Sequence, residues 1–185
     1  MTNTPRQTYL QFHVPLDRNA RWYKDAMAAL GGVRGVRWQN GNFHFTVAFF
    51  GDNYSIAKAA EVAEVLNGEL MGTIAPCLSF DTLDAFTGNK GEAHVLYLTA
   101  SHVPDEWEAL VEKVRIKLKE CGYKIGPYRT HVTLARIPVG SISLEDLKER
   151  IGRVTVPSFT LILNKADYTY RAPYCVIREW AFPVH

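Results

Sequence analysis

Two short stretches of this chain carry the same pattern of residue types. His44-Phe45-Thr46-Val47-Ala48 and His131-Val132-Thr133-Leu134-Ala135 both read His, apolar, Thr, apolar, Ala. Alternate side chains of a strand share a face, so each copy predicts an imidazole beside a hydroxyl, with the apolar neighbours turned inward. An unperturbed imidazole titrates near neutral pH, so one of a pair can take a proton while the other gives one. Facing each other across a cleft, two such pairs suit cleavage of a phosphodiester without metal. One histidine helps water or a ribose hydroxyl attack phosphorus, the other protonates the departing ribose oxygen, and the two threonines donate to the non-bridging oxygens. A single His-x-Thr is weak evidence, because Thr is a common strand former. Two copies on two predicted strands are far more specific.

The elements that must position these residues are legible from periodicity. Alternation predicts strands over Tyr9–Val14, Phe43–Phe50, Pro76–Phe86, Ala93–Ala100, Thr130–Ile137, Val154–Leu163, Lys165–Tyr170 and Tyr174–Phe182. Helical spacing predicts a helix capped by Asp17 and running to Leu30, with Trp22, Tyr23, Ala26, Met27 and Leu30 on one face, before Gly31-Gly32. Further helices are predicted over Ser55–Leu70 (Ile56, Ala59, Ala60, Ala63 and Leu66 inward), Asp105–Cys121 (Trp107, Leu110, Val111, Val114 and Leu118 inward) and from Ser143 to Ile151. Thr87-Gly88-Asn89-Lys90-Gly91 is the turn between two strands, and Arg34, Arg37 and Asn40-Gly41 fall on a loop before the first His-x-Thr. The order of elements restarts near residue 93, so the second half loosely echoes the first. With no Gly/Ser- or Pro-rich linker, residues 1–185 are expected to form a single two-lobed α+β domain with helices packed on antiparallel sheets.

Composition bounds the rest. Apolar residues make up 47% and charged residues 22% of the chain, the balance of a globular protein, and a net charge of +2 argues against a general nucleic-acid coat while allowing a small basic cleft. Cys77, Cys121 and Cys175 are scattered, without CxxC or Cys/His clustering, and are expected to be buried free thiols in a reducing cytoplasm. Met1–Gln7 lack an apolar signal core and no run is long enough to span a bilayer, so a cytoplasmic protein without membrane attachment is expected.

On these residues the chain resembles the two-histidine (2H) phosphoesterase superfamily, and within it the bacterial and archaeal 2′-5′ RNA ligase, or RNA 2′,3′-cyclic phosphodiesterase, branch. His44-Phe-Thr-Val-Ala-Phe-Phe-Gly51 is similar to that branch's first motif, Arg129-Thr-His131-Val-Thr-Leu-Ala-Arg136 to its second, and Tyr174…Trp180 to its last strand. The resemblance implies a bilobal, pseudo-two-fold fold whose sheets line a central cleft, with helices outside and no metal or nucleotide cofactor for hydrolysis. It also implies roles. His44 would protonate the leaving 3′-oxygen, His131 would activate water and leave a 2′-phosphate, and Thr46 and Thr133 would bind the phosphate. Phe49 and Arg136 would flank the nucleobase, by stacking and cation–π contact. Both lie five residues after their histidine, and strict alternation would turn them to the opposite face unless the strand ends or twists. Two departures bear on substrate: Tyr9, Gln11 and His13 occupy the first strand where the family often has an arginine, and Asn164 replaces a small hydroxyl residue.

Arg129, Arg34 and Arg37 are candidates to steer a phosphate, and His13 is a candidate to line the cleft, although a first-strand histidine is more often a hydrogen-bonding packing residue. His94, His102 and His185 read as structural or solvated. Arg115, Lys117 and Lys119 read as an exposed helix face. No HExxH spacing suggests a metal and no GxxxxGK[ST] loop suggests ATP, so any RNA ligation would be the esterase reaction in reverse. Lys165-Ala-Asp167 has a nucleotidyl-transferase flavour, but Tyr168 stands where glycine belongs. The expected substrates are RNA ends or small cyclic nucleotides, acted on by a monomer without a stable protein partner. The alternatives are a nucleotide-binding module without turnover, and an esterase for a small cyclic phosphate such as an ADP-ribose derivative.

Overall fold

The computed structural model describes residues 8–50, 55–88, 93–171 and 174–184. The glycine of the first motif, Gly51, most of the Thr87–Gly91 turn, and the termini Met1–Gln7 and His185 lie outside them. Ten strands and four helices are described: β1 (Thr8–His13), α1 (Arg21–Ala29), β2 (Arg37–Trp38), β3 (His44–Phe49), α2 (Ile56–Leu70), β4 (Cys77–Phe80), β5 (Thr82–Thr87), β6 (Ala93–Thr99), α3 (Asp105–Glu120), β7 (Val132–Arg136), α4 (Leu144–Ile151), β8 (Phe159–Ile162), β9 (Lys165–Arg171) and β10 (Tyr174–Ala181). Antiparallel pairing joins β10-β9-β1-β3 in one sheet, β2-β7-β6-β5 in a second, and β4 with β8 in a short ladder. The expected α+β architecture is therefore present. The strands carrying the two His-x-Thr stretches, β3 and β7, belong to different sheets and touch each other.

Apolar faces hold this arrangement. Ala59, Val62, Ala63, Leu66 and Leu70 of α2, and Trp107, Val111, Val114 and Leu118 of α3, are buried in one cluster with Leu10 and Phe12 of β1, Phe45 and Val47 of β3, and Val132 and Leu134 of β7. Phe12 and Phe45 meet the ring of Trp107, with centroids 5.0 and 5.5 Å away, which fixes α3 across the inner side of both β1 and β3. Ser55 and Ser143 cap α2 and α4 through their hydroxyls, as their sequence positions predict.

Several expectations are corrected. Asp17 does not cap α1, whose N-cap is Ala20; its carboxylate instead accepts from Asn19 N, 2.8 Å away, and holds the preceding turn. Met27 and Ala60 are exposed, because the buried stripes of their helices run through Trp22-Tyr23-Ala26 and through Val62. Pro76–Phe86 is two strands in different sheets, broken at Asp81, whose carboxylate accepts from Thr82 Oγ1, Ser101 N and Ser101 Oγ. Arg37–Trp38 is a short strand beside β7 and not loop. Only Phe159–Ile162 of the 154–163 stretch pairs, consistent with Pro157 lacking a ladder donor. All three cysteines are free but exposed, at a strand start, a helix end and the open face of β10.

Candidate active site

The two His-x-Thr stretches repeat each other in three dimensions. Residues 44–49 and 131–136 have identical burial patterns: half-buried His, buried apolar residue, half-buried Thr, two buried residues, exposed residue. The consecutive buried pair marks a β-bulge. In β3 the register against β1 passes from Gln11↔Thr46 to Leu10↔Ala48, leaving Val47 as the extra residue. In β7 the register against β6 passes from Tyr97↔Thr133 to Leu96↔Ala135, leaving Leu134 as the extra residue. A bulge reverses the alternation beyond it. Phe49 and Arg136 therefore return to the face of their histidines despite the odd offset, and the strand twist that their assignment needed is present in both copies. Two successive inward side chains crowd the core, and in both copies the second is Ala, 1% exposed.

The carbonyl of each extra residue is met from outside the strand pair that forms the bulge. The Val47 carbonyl accepts from Arg115 Nη1 at 2.7 Å, and the Leu134 carbonyl accepts from Gln39 N at 2.8 Å. Arg115 is 5% exposed, so the reading of it as part of a solvated helix face is wrong. Its other nitrogen donates to the Gly126 carbonyl, and its guanidinium lies 5.7 Å from the Tyr128 ring centre. Tyr128 in turn accepts from Trp107 Nε1 and Thr130 Oγ1, and burial pushes its phenol up to about 12. One buried cation thus ties the first motif's bulge to the segment that leads into the second.

Each catalytic candidate is oriented by the same contact. His44 Nδ1 lies 2.8 Å from the Asn42 carbonyl, and His131 Nδ1 lies 2.8 Å from the Arg129 carbonyl. A carbonyl can only accept, so Nδ1 carries a proton in both rings and Nε2 is left for chemistry. The first contact needs an unusual backbone. Gly41 and Asn42 both have positive φ, 82° and 48°, a conformation that glycine and asparagine tolerate best. Tyr9 lies against the His44 ring with centroids 5.8 Å apart, while the edges of Phe86 and Tyr97 flank His131 at 4.8 and 5.6 Å. Burial lowers both imidazoles below their ordinary value. The Asn42 and Arg129 carbonyls oppose this, and His131 is lowered further by the charges of Arg129 and Arg136.

A cavity of about 340 Å³ is lined by Tyr9, Gln39, His44, Thr46, Phe49, Thr133 and Arg136. It brings one His, both Thr and both base-flanking candidates together. His131 is not among its lining residues, yet it stands two residues before Thr133 and its charge reaches His44. Arg129 lies on the His131 side, its guanidinium 5.2 Å from the Phe86 ring centre. Arg34 and Arg37 are exposed and do not line the cavity, although Arg37 is in register with Arg136. His13 does not line it either, being held by Asp167. Nothing in the sequence points to Gln39, and Asp167 shows only within the discounted Lys165-Ala-Asp167 stretch. Gln39 sits in what reads as loop, and Asp167 is a lone carboxylate within the aromatic run Tyr168-Thr169-Tyr170. Among the described residues no group of three or more His, Cys, Asp or Glu could hold a metal ion, and no helix is long and apolar enough to cross a membrane.

No protein-family model and no curated protein matches the sequence. Solved structures do match. A crystal structure described as a phosphoesterase is 18% identical with a TM-score of 0.62, over 96% of this chain and 99% of that one. E. coli LigT complexed with 3′-AMP is 17% identical with a TM-score of 0.60, over 96% and 98%. The MHV ns2 PDE domain is 10% identical with a TM-score of 0.56, over 89% and 99%. At these identities the likeness is one of fold.

Proposed function

We propose that the chain is a two-histidine phosphodiesterase that opens 2′,3′-cyclic phosphates, or cleaves 2′,5′ linkages, at RNA ends or on small nucleotides. The observation that carries this reading is the matched locking of His44 and His131 through Nδ1, with Thr46 and Thr133 on one cavity that His44 also lines. His131 Nε2 takes a proton from water as it attacks phosphorus. His44 Nε2, protonated, gives its proton to the 3′-oxygen as the P–O3′ bond breaks, leaving a 2′-phosphate. Thr46 and Thr133 donate to the non-bridging oxygens, where negative charge is held through the transition state. Arg129 and Arg136 beside His131 favour its neutral form, which suits the base. Phe49, 43% exposed, and Arg136 offer a ring and a guanidinium to the nucleobase. The complexes of E. coli LigT with 3′-AMP, ATP, NADP+ and phosphate concern that protein, and they are compatible with a cavity for phosphate-bearing nucleotides.

The test is hydrolysis of 2′,3′-cyclic nucleotides and 2′,5′-linked dinucleotides in EDTA, with the phosphate position read by NMR. Turnover to the 2′-phosphate that disappears in folded His44→Ala and His131→Ala variants is expected. Full activity in either variant, or tight binding without product across the panel, would refute the mechanism.

A further inference from the structure

Arg115 and Gln39 tie the two motifs together in opposite senses. Arg115 donates to the Val47 carbonyl in the first motif and to the Gly126 carbonyl ahead of the second. Gln39 donates from its backbone N–H to the Leu134 carbonyl in the second motif, 2.8 Å away. Its side-chain Nε2 donates at 3.3 Å to the Asn42 carbonyl ahead of the first. That carbonyl is the one that accepts from His44 Nδ1. A carbonyl oxygen has two lone pairs, so one atom can take both the imidazole and the amide. Gln39 directly follows β2 of the second sheet, and residues 39–43 carry the chain across to β3 of the first. Gly41 and Asn42, with φ of 82° and 48°, turn the backbone within that crossing. From the first sheet, Gln11 Nε2 lies 3.5 Å from Asn42 Oδ1, so Asn42 is met from both sides.

We propose that Gln39 is a positioning residue, which fixes the His44 imidazole relative to Thr133 by tying the Asn42 carbonyl to the strand of the second motif. This rests on the two-histidine reading above. That reaction needs His44 and Thr133 at a set distance, although they stand on different sheets. The backbone bond to Leu134 anchors Gln39 next to Thr133, and its side-chain bond ends on the atom that orients His44. A rotation of the Asn42 peptide would swing the ring and its Nε2, and a misplacement of about 1 Å can cost about 100-fold in rate. The tie to a histidine's own acceptor is made for the first motif. Arg115 ends at Gly126 and not at the Arg129 carbonyl that orients His131, which makes His131 an internal control. Gln39 also lines the cavity with His44, Thr46 and Thr133, so direct contact with substrate is the alternative to be separated.

The experiment uses Gln39→Met, which keeps the backbone N–H and the side-chain length and removes the amide donor. Long-range proton–nitrogen NMR of the folded, ligand-free protein, with both rings neutral, reports which ring nitrogen carries the proton. Wild type is expected to show Nδ1–H in His44 and His131. In Gln39→Met the His44 signals are expected to move toward the Nε2–H form while those of His131 stay. On 2′,3′-cyclic AMP, kcat is expected to fall about tenfold with KM changed by less than about twofold. An unmoved His44 ring, two rings that move together, or an unchanged kcat would each overturn the proposal. A rise in KM as large as the fall in kcat would overturn it too, by marking Gln39 as a substrate contact. Should Gln39→Met fail to fold, Gln39→Leu carries the same test with the same outcomes. An inactive wild type would instead sink the functional reading, while the ring signals would still decide what Gln39 holds, so the two failures are distinct.

Discussion

Val47 and Leu134 occupy equivalent bulges, each the extra residue that turns the end of a His-x-Thr strand back toward the cavity. Without the extra residue, Phe49 and Arg136 would point to the opposite side from His44 and His131. The pattern His-x-Thr-x-Ala thus coincides with a bulge in both copies. It places three side chains of each copy on one face, at positions one, three and six: His44, Thr46 and Phe49 in the first, His131, Thr133 and Arg136 in the second. Arg115, a helix residue that does not line the cavity, is tied to the first copy through the Val47 carbonyl, to which it donates.

Replacing Thr46 or Thr133 by Val keeps the strand shape and removes one hydroxyl donor. A hydrogen bond to a charged group is worth about 1.5–3 kcal/mol, so each change is expected to lower kcat by about 10- to 150-fold. The loss should be in kcat more than in KM, because the bond strengthens as charge develops. Steady-state kinetics on a cyclic nucleotide decide it; unchanged kcat in both variants would exclude the threonines from the phosphate site.

Which parts of this arrangement could be read from the sequence follows from the range of the forces involved. Side-chain alternation and helical spacing are local, so β3, β7, α3 and the pairing of His with Thr are legible in the residues themselves. The sheet partners are not, since β2 is only two residues long and its pairing with β7 comes from tertiary contact. Burial of Arg115 is likewise invisible to helix periodicity, because its value lies in carbonyls at Val47 and Gly126 that only the fold brings near. The contact of Asp167 with His13 is invisible for the same reason, since the two are distant in sequence and neighbouring in space.

In the proposed reaction Phe49 and Arg136 would contribute binding, not proton transfer. Phe49→Ala removes a stacking face worth about 1–3 kcal/mol, so KM for a nucleoside cyclic phosphate is expected to rise by about 5- to 150-fold with little change in kcat. A ribose cyclic phosphate lacking a base should be insensitive to the substitution. Equal losses on both compounds would show that Phe49 does not meet the base.

Arg115→Met removes the guanidinium that satisfies two carbonyls while keeping most of the stem. The Val47 carbonyl is left buried without a partner while that of exposed Gly126 can turn to water, so a loss of about 1–3 kcal/mol is expected. Urea unfolding measures it. Since the bulge at Val47 loosens with the loss, KM should rise in step, and a stable variant with wild-type KM would show that the bulge holds itself.

Both imidazoles are lowered, chiefly by burial. The proposed mechanism requires a free enzyme with one of them protonated and the other neutral. The pH profile of kcat/KM should therefore be bell-shaped, with its maximum below the ordinary imidazole value of about 6.5. A sigmoidal profile that rises without an alkaline fall would mean that no histidine serves as acid.

The same lowered values make the site a cost to stability on acidification. Between the native values of His44 and His131 and the unfolded value of about 6.5, the unfolded chain binds more protons than the native one. The slope of stability with pH follows the difference in bound protons, unfolded minus native, and is positive in that window. Native stability is thus full above about pH 6.5 and declines as pH falls through the window toward the native values. A His44→Gln/His131→Gln double variant removes both titrations and should lose part of that slope. Urea midpoints at several pH values test this: wild type should gain more stability on going from acid to neutral pH than the double variant does, and parallel curves would show that the two rings titrate alike in the folded and unfolded chain.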